Sequence, residues 1–322
     1  MATERLLLAW PRSAALWEGE TALAAARQSV RQFAVAAARF LPVTVLTADA
    51  ETDRSAARDL QGVCAVDRHT VPYDDIWVRD TGPIWMPPSP AGQPIVGLFD
   101  GWGEKFAHAE DARLASRLVD ELGLTARRFD GVLEGGGLQV SGGGAGLTTR
   151  EWLDARGLTP AGLTVFGADA WVVLDYGLVD DHTDGHVDLV ARFTDGGDVV
   201  ACVADEDDVP QHERLKQNFE QLLQAAADGL VGGVTALPLP KDRTPVGGVR
   251  PPRSYANFVV VPGGLLVPTY NDPRDDEALA TLAASFPGRE VVGVDATGLV
   301  AGGGALHCCS VTLPEGVNFA HG

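Results

Sequence analysis

The sequence predicts an α/β protein in which short strands outnumber helices. Apolar residues recur at helical spacing in only a few stretches, whereas short β-rich runs are numerous. Gly or Pro punctuates most of those runs. One strand per helix in strict alternation, as in a doubly wound or barrel fold, does not fit this order.

Taken in order, residues 5–10 (Arg-Leu-Leu-Leu-Ala-Trp) read as a buried strand. Residues 19–40 place Ala24, Val30, Phe33, Ala34, Ala37 and Phe40 among charges, the pattern of an amphipathic helix. A strand follows at 42–46. Further helices are expected at 110–122, where Leu114, Leu118 and Leu122 are four apart, and at 211–227 and 275–285. Strands are expected at 95–99, 137–140, 171–174, 187–193, 198–203, 257–261, 264–268, 290–294 and 305–313. The strand–glycine–strand pieces resemble one another, a hint of internal repetition. The stretch 238–252 reads as a long, mobile loop. No linker divides the chain, so residues 1–322 are expected to form a single domain.

Composition narrows the function. The 322 residues carry a net charge of -19, which disfavours nucleic acid and anionic membranes and suits a cationic small molecule. Solubility alone also accounts for such acidity. Four cysteines without metal-type spacing are neither a disulfide framework nor a zinc site. They suit a reducing, cytoplasmic setting. The apolar start, Leu6 to Trp10, is stopped by Pro11 and Arg12, too early for a signal peptide. There is no phosphate-binding loop and no dinucleotide fingerprint.

Four clusters hold chemistry. In Trp77-Val78-Arg79-Asp80-Thr81-Gly82-Pro83 an aromatic, a cation and a carboxylate precede a turn. Read as a strand, it puts Trp77 and Arg79 on one face; a surface ion pair at a strand end is the plainer alternative. Glu134 stands before Gly135-Gly136-Gly137, where a solvated turn carboxylate is the plainer alternative. His182, Asp184, His186 and Asp188 recur with period two. On one strand they would share a face and suit either a divalent metal or acid–base work on a cation; Gly185 weakens that picture. Last, Gly302-Gly303-Gly304-Ala305-Leu306-His307-Cys308-Cys309 brings a thiol to a glycine run, where the ordinary alternative is a buried cysteine pair. A thiol, an imidazole and several carboxylates suit nucleophilic attack on a positively charged carbon. The carboxylates also match a guanidinium, whose planar fork takes them two at a time.

These motifs, in this order, resemble the agmatine deiminase family, which includes the bacterial peptidyl-arginine deiminases. Further matches are Leu8-Ala9-Trp10-Pro11, Gly101-Trp102-Gly103-Glu104-Lys105, Ser254-Tyr255-x-Asn257-Phe258 and Asn271-Asp272-Pro273, so the similarity spans nearly the whole chain. The resemblance implies the pentein fold, a five-fold pseudosymmetric α/β propeller of ββαβ-type units. It implies hydrolysis of a guanidinium to a ureido group and ammonia, without metal or cofactor. Agmatine is the first substrate it suggests; another small guanidine or peptidyl-arginine is the alternative. Carried across by motif, Cys308 is the nucleophile, His186 the acid and then the base, and Glu134 its orienting partner. Asp80 and Asp188 hold the guanidinium nitrogens, and Trp77 packs beside the substrate. Only one of Cys308 and Cys309 can face the site, and Cys309 is expected in the core. Carboxylates around the thiol should keep it protonated until the cation arrives. The chain departs from the family at Trp152-Leu153-Asp154-Ala155-Arg156-Gly157, where an asparagine-rich segment is usual. A metal-dependent hydrolase built on His182, Asp184, His186 and Asp188 and a non-catalytic guanidine-binding protein are the competing readings. Self-association is left open.

Overall fold

Strand β1 (Arg5–Ala9) is the seam of the fold. It runs parallel to β2 (Val43–Thr47) on one side and antiparallel to the last strand, β15 (Ser310–Leu313), on the other. Leu6 to Ala9 are all fully buried, as a strand covered on both faces requires. The structure, a computed structural model, describes residues 4–85, 93–246 and 248–319. Among these the strands form five small sheets.

Each sheet is built the same way. In the first, β1 leads through α1 (Glu20–Ala37) to β2, and α2 (Ala50–Asp59) carries the chain on to β3 (Val66–Thr70). After the short α3 (Val78–Thr81), Ile84 bridges antiparallel to β4 (Ile95–Leu98). The short α4 (Gly101–Glu104) and then α5 (Asp111–Glu121) cross over to β5 (Arg127–Val132), parallel to β4. The third unit pairs β6 (Leu138–Val140) with β7 (Ala145–Thr149) and returns through α6 (Arg150–Ala155) to β8 (Ala170–Leu174). The fourth uses β9 (Ala191–Phe193), β10 (Val199–Val203), α7 (Val209–Ala227) and β11 (Val234–Pro238). The fifth uses β12 (Val259–Val261), β13 (Gly264–Thr269), α8 (Asp275–Ser285) and β14 (Glu290–Asp295), followed by α9 (Thr297–Val300). An antiparallel pair, a crossover helix and a parallel strand thus recur five times. The first unit is completed only when β15 returns to β1. This is the five-fold α/β propeller that the resemblance implies.

The crossover helices follow their sequence pattern. Helix α1 buries Leu23, Ala26, Val30, Phe33, Ala34 and Ala37 along one stripe, and α5 buries Leu114 and Leu118. Several elements have no such signal. Strand β3 reads Val-Asp-Arg-His-Thr and none of its residues is buried, because it is the outer edge of its sheet. The expected strand 187–193 divides into a 3-10 turn at Val187–Leu189 and β9. The expected strand 305–313 begins only at Ser310; Leu306 to Cys309 form turns. The expected loop 238–252 has, among its described residues beyond β11, only a bridge between Val246 and Val249; residue 247 lies outside the described residues. No helix among the described residues is long and apolar enough to cross a membrane.

The segments that join the units meet at the centre. There α3 packs against the 3-10 turn Gly135–Gly137, and a Cβ at Gly135 would overlap the Arg79 carbonyl. Gly135→Ala is expected to destabilise the protein by about 1–3 kcal/mol, the usual cost of overpacking. Urea denaturation would read this as a lower midpoint with an unchanged slope.

Candidate active site

Every joining segment brings a polar side chain to one buried place. Asp80 comes from α3, and Glu134 from the turn after β5. His186 and Asp188 lie between β8 and β9, Asn257 just before β12, and Cys308 just before β15. All six are less than a tenth exposed.

Cys308 is held by two neighbours. Asn257 Nδ2 donates to its Sγ at 3.2 Å, and Asp188 Oδ2 lies 4.0 Å from the sulfur. The Asn257 amide oxygen accepts from the backbone N–H of His307 (3.0 Å) and of Cys308 (3.3 Å), which orients the amide. Arg192 in turn donates to the carbonyls of Ala256 and Phe258 on either side of Asn257. Burial, then Asp188 and Asp80, push the Cys308 thiol well above its ordinary value, so at rest it is a thiol. Cys309 turns away, wholly buried, with Sγ 3.5 Å from the Leu306 carbonyl. Burial raises it to about 12. Cys309 is therefore a core residue, as expected, although a turn and not a strand separates it from Cys308.

His186 lies among carboxylates. Its Nε2 donates to Glu134 Oε2 at 2.9 Å, and its Nδ1 is 3.7 Å from Asp80 Oδ2. Burial works against the charged form, but Asp80, Glu134 and Asp188 outweigh it and lift the imidazole to about 10. The resting residue is imidazolium. For Glu134, too, burial opposes the charge, and His186 and Arg156 overcome it and hold the carboxyl below its ordinary value. Asp80 accepts from Gly136 N–H at 2.9 Å and from Trp102 Nε1 at 3.2 Å. Burial raises it, and His186 opposes the rise.

Asp188 is wholly buried. Its Oδ2 accepts from His307 Nδ1 at 2.6 Å and from Asn257 Nδ2 at 3.3 Å. Its Oδ1 is buried and has no hydrogen-bond partner. Burial, with Asp80 nearby, raises this carboxyl to about 7. His307 is kept neutral by burial and by the cations Arg192 and Arg79, so it donates through Nδ1. A buried carboxylate oxygen without a donor is costly unless a ligand supplies one.

Trp77 roofs the glycine run together with Trp17: a Cβ at Gly304 would run into the Trp77 ring and one at Gly302 into the Trp17 ring. Trp77 Nε1 donates to Asp75 at 3.1 Å, and Trp17 packs 6.2 Å away. The segment is helical, not extended, and this replaces the expectation of a strand with Trp77 and Arg79 on one face. One helical turn lets Arg79 N–H reach the Cys308 carbonyl at 3.0 Å while Asp80 reaches His186. A left-handed Asp184 (φ 65°) and Gly185 (φ 99°) break the proposed period-two face. Its four members separate. His182 packs against Trp102 and Phe106, Asp184 against Lys105 and Arg156, His186 against Glu134, and Asp188 against His307. The four form no metal cluster, and no group of three or more candidate ligands that could hold a metal occurs among the described residues.

The site thus brings together Cys308, His186, Glu134, Asp80, Asp188 and Trp77. Sequence reasoning gave no part to Asn257, His307, Trp102, Trp152 or Arg156. Asn257 carried a signal, a lone amide opening an otherwise apolar run. Arg156 carried none, since nothing in the sequence pairs it with Glu134.

The whole chain has relatives. Residues 1–314 match the Porphyromonas-type peptidyl-arginine deiminase family. An agmatine deiminase of Stutzerimonas stutzeri is 31% identical over 95% of this chain and 92% of its own length. One of Pseudomonas aeruginosa is 31% identical over 97% and 93%. The solved agmatine deiminase of Enterococcus faecalis superposes with a TM-score of 0.88 at 25% identity, covering 98% of this chain and 94% of that one. The fold and these matches define a pentein-type deiminase. The chain belongs to the Porphyromonas-type peptidyl-arginine deiminase family.

A cation among Asp80, Glu134 and Asp188 lowers the proton affinity of the thiol. Iodoacetamide labelling of Cys308, followed by mass spectrometry near neutral pH, is expected to be slow. The rate should rise only as the pH passes well above the ordinary thiol range. Fast labelling near neutral pH would show a thiolate already formed at rest.

Proposed function

We propose that the protein hydrolyses a guanidino substrate to a ureido product and ammonia, with agmatine as substrate and N-carbamoylputrescine as product. The observation that carries this reading is Asp188 Oδ1, buried without a donor on the carboxylate whose Oδ2 lies 4.0 Å from Cys308 Sγ. A guanidinium supplies both the missing N–H donor and the electrophilic carbon. Asp80 and Asp188 hold its nitrogens and fix its plane, a positioning effect, and Trp77 packs beside it. The four free cysteines fit a reducing cytoplasm. Residues 1–322 act as one catalytic domain, since all five units contribute to the site.

Binding of the cation is matched by release of the thiol proton, which keeps the buried charge constant. The thiolate attacks the guanidinium carbon to give a tetrahedral adduct. The C–N bond then breaks, and His186 gives its proton to the departing nitrogen, which leaves as ammonia. The remaining amidino-thioether is attacked by water, whose proton passes to the now neutral His186. Cleavage of the C–S bond frees the ureido product, and the remaining hydroxyl proton returns to the sulfur, which rests again as the thiol. Glu134 holds the imidazole in position through both halves.

The test is turnover of agmatine, a peptide with C-terminal arginine, and free arginine, followed as ammonia and ureido product. Agmatine is expected to react, and Cys308→Ala to lose at least about 1,000-fold in kcat, as removal of a covalent nucleophile does. A covalent adduct should be trapped by acid quench of the wild-type enzyme. Reaction with the peptide in place of agmatine would keep the mechanism and change the substrate. Ammonia release that survives Cys308→Ala would overturn the thiol mechanism.

A further inference from the structure

Glu134, wholly buried, does not serve His186 alone. Arg156 Nε donates to Glu134 Oε1 at 2.8 Å and Arg156 Nη2 to Oε2 at 3.1 Å. Trp152 Nε1 donates to Oε2 at 2.7 Å. Oε2 therefore receives Trp152, Arg156 and the catalytic imidazole together. The Arg156 side chain is itself only 2% exposed. Its third nitrogen, Nη1, donates to Asp184 Oδ2 at 2.9 Å. The other oxygen of Asp184 accepts from Lys105 Nζ at 2.6 Å, and Lys105 also reaches the His182 carbonyl at 2.7 Å. Asp184 and Lys105 are about a third exposed. Charges of alternating sign thus run from the surface inward: Lys105, Asp184, Arg156, Glu134, His186.

We propose that Arg156, Asp184 and Lys105 are positioning residues that set the proton affinity of His186 through their shared hold on Glu134. This rests on the reading of His186 as acid and then base. Each hydrogen bond that Arg156 makes to Glu134 takes up negative charge that would otherwise bind the imidazole proton. Asp184 competes for Arg156, and Lys105 competes for Asp184. The device answers a need of the site. Asp80 from α3, Glu134 after β5 and Asp188 two residues onward all favour imidazolium, while His182 and His307 are neighbours that stay neutral. An imidazolium held too tightly delivers its proton poorly to ammonia and cannot then accept one from water. General catalysis is best when the group's proton affinity lies near the working pH. Arg156 offsets part of the carboxylate field without entering the substrate's space. It lies within the segment 152–157, where the family's usual asparagine-rich pattern is absent.

The signs of the effects are fixed by the order of charges. Arg156→Gln removes a cation beside Glu134 and raises the pH at which His186 titrates. Asp184→Asn frees Arg156 to act on Glu134 and lowers it. Lys105→Met leaves Asp184 to draw on Arg156 and raises it. Arg156→Lys keeps the charge but loses the two-point fork. It should leave the titration near that of the wild type while costing kcat up to about 100-fold through misplacement of Glu134.

The experiment is titration of the imidazole by nitrogen NMR in histidine-labelled full-length protein, with the His186 signal assigned from His186→Gln. The pH dependence of kcat for agmatine is measured alongside. Opposite shifts in Asp184→Asn and Lys105→Met, matched by the alkaline limb of kcat where the imidazolium proton is lost, are expected. No shift, or shifts of one sign in both, would overturn the proposal, because a purely structural role lowers activity without that alternation. If Arg156→Gln does not fold, the two partly exposed positions still decide the matter. The NMR arm does not depend on turnover. Alternating shifts in a protein that deiminates nothing would keep the relay and discard the deiminase reading; turnover without alternating shifts would do the reverse.

Discussion

Three carboxylates buried beside one another impose the constraint that the rest of this structure answers. Asp80, Glu134 and Asp188 repel one another in a place water hardly reaches, where charge interactions are several times stronger than at the surface. The fold supplies partners one by one. His186 lies between Asp80 and Glu134, Arg156 forks onto Glu134, and Trp102 and Gly136 donate to Asp80. Neutral donors, His307 and Asn257, take one oxygen of Asp188. The other oxygen is left over, on a carboxylate that lies 4.0 Å from the sulfur. Although Arg79 and Arg192 act on this carboxylate from a distance, neither bonds its second oxygen, which is the basis for reading the site as a receptor for a cation.

The same arithmetic explains why the nucleophile rests as a thiol. A thiolate would add a fourth negative charge to the group. In the proposed mechanism the cation arrives first, and its charge favours loss of the thiol proton. On that proposal reactivity is tied to a positively charged carbon, while the resting sulfur is protonated. Asn257 takes part in this without carrying charge. Its amide holds the turn at His307 and Cys308 through the oxygen and meets the sulfur through the nitrogen.

Placing these groups is a problem of topology. No single segment holds more than two of them, and the five joining segments converge only because the five units close in a ring. The seam is the ladder between β1 and β15. Cys308 precedes β15 by two residues, so the strand that closes the ring also fixes the nucleophile. Breaking a buried charge pair at the centre would cost roughly 3–5 kcal/mol, so the site is bound up with the stability of the ring as well as with its chemistry.

Much of this was legible in the sequence, and the limits of legibility are physical. Periodicity showed α1 and α5, because each lays an apolar stripe on the core. It missed β3 and β5, edge strands whose exposed residues have no reason to be apolar. The chemistry-bearing residues Cys308, His186, Glu134, Asp80, Asp188 and Trp77 stood out because each lies in a local motif of glycines, aromatics or alternating polar residues. What they do to one another was not local. The period-two pattern from His182 to Asp188 suggested one shared face, but the left-handed backbone at Asp184 and Gly185 sends its members to four different partners. Arg156, 22 residues beyond Glu134, meets it only because α6 folds back under the site. The sequence by itself determined the repeating α/β architecture and the kinds of side chain available for chemistry, since propensity, burial pattern and glycine turns act over a few residues. Only the tertiary structure decided which charges became neighbours, and therefore which sulfur is poised and which imidazole carries the proton, because electrostatic coupling depends on distance in space and not on distance along the chain.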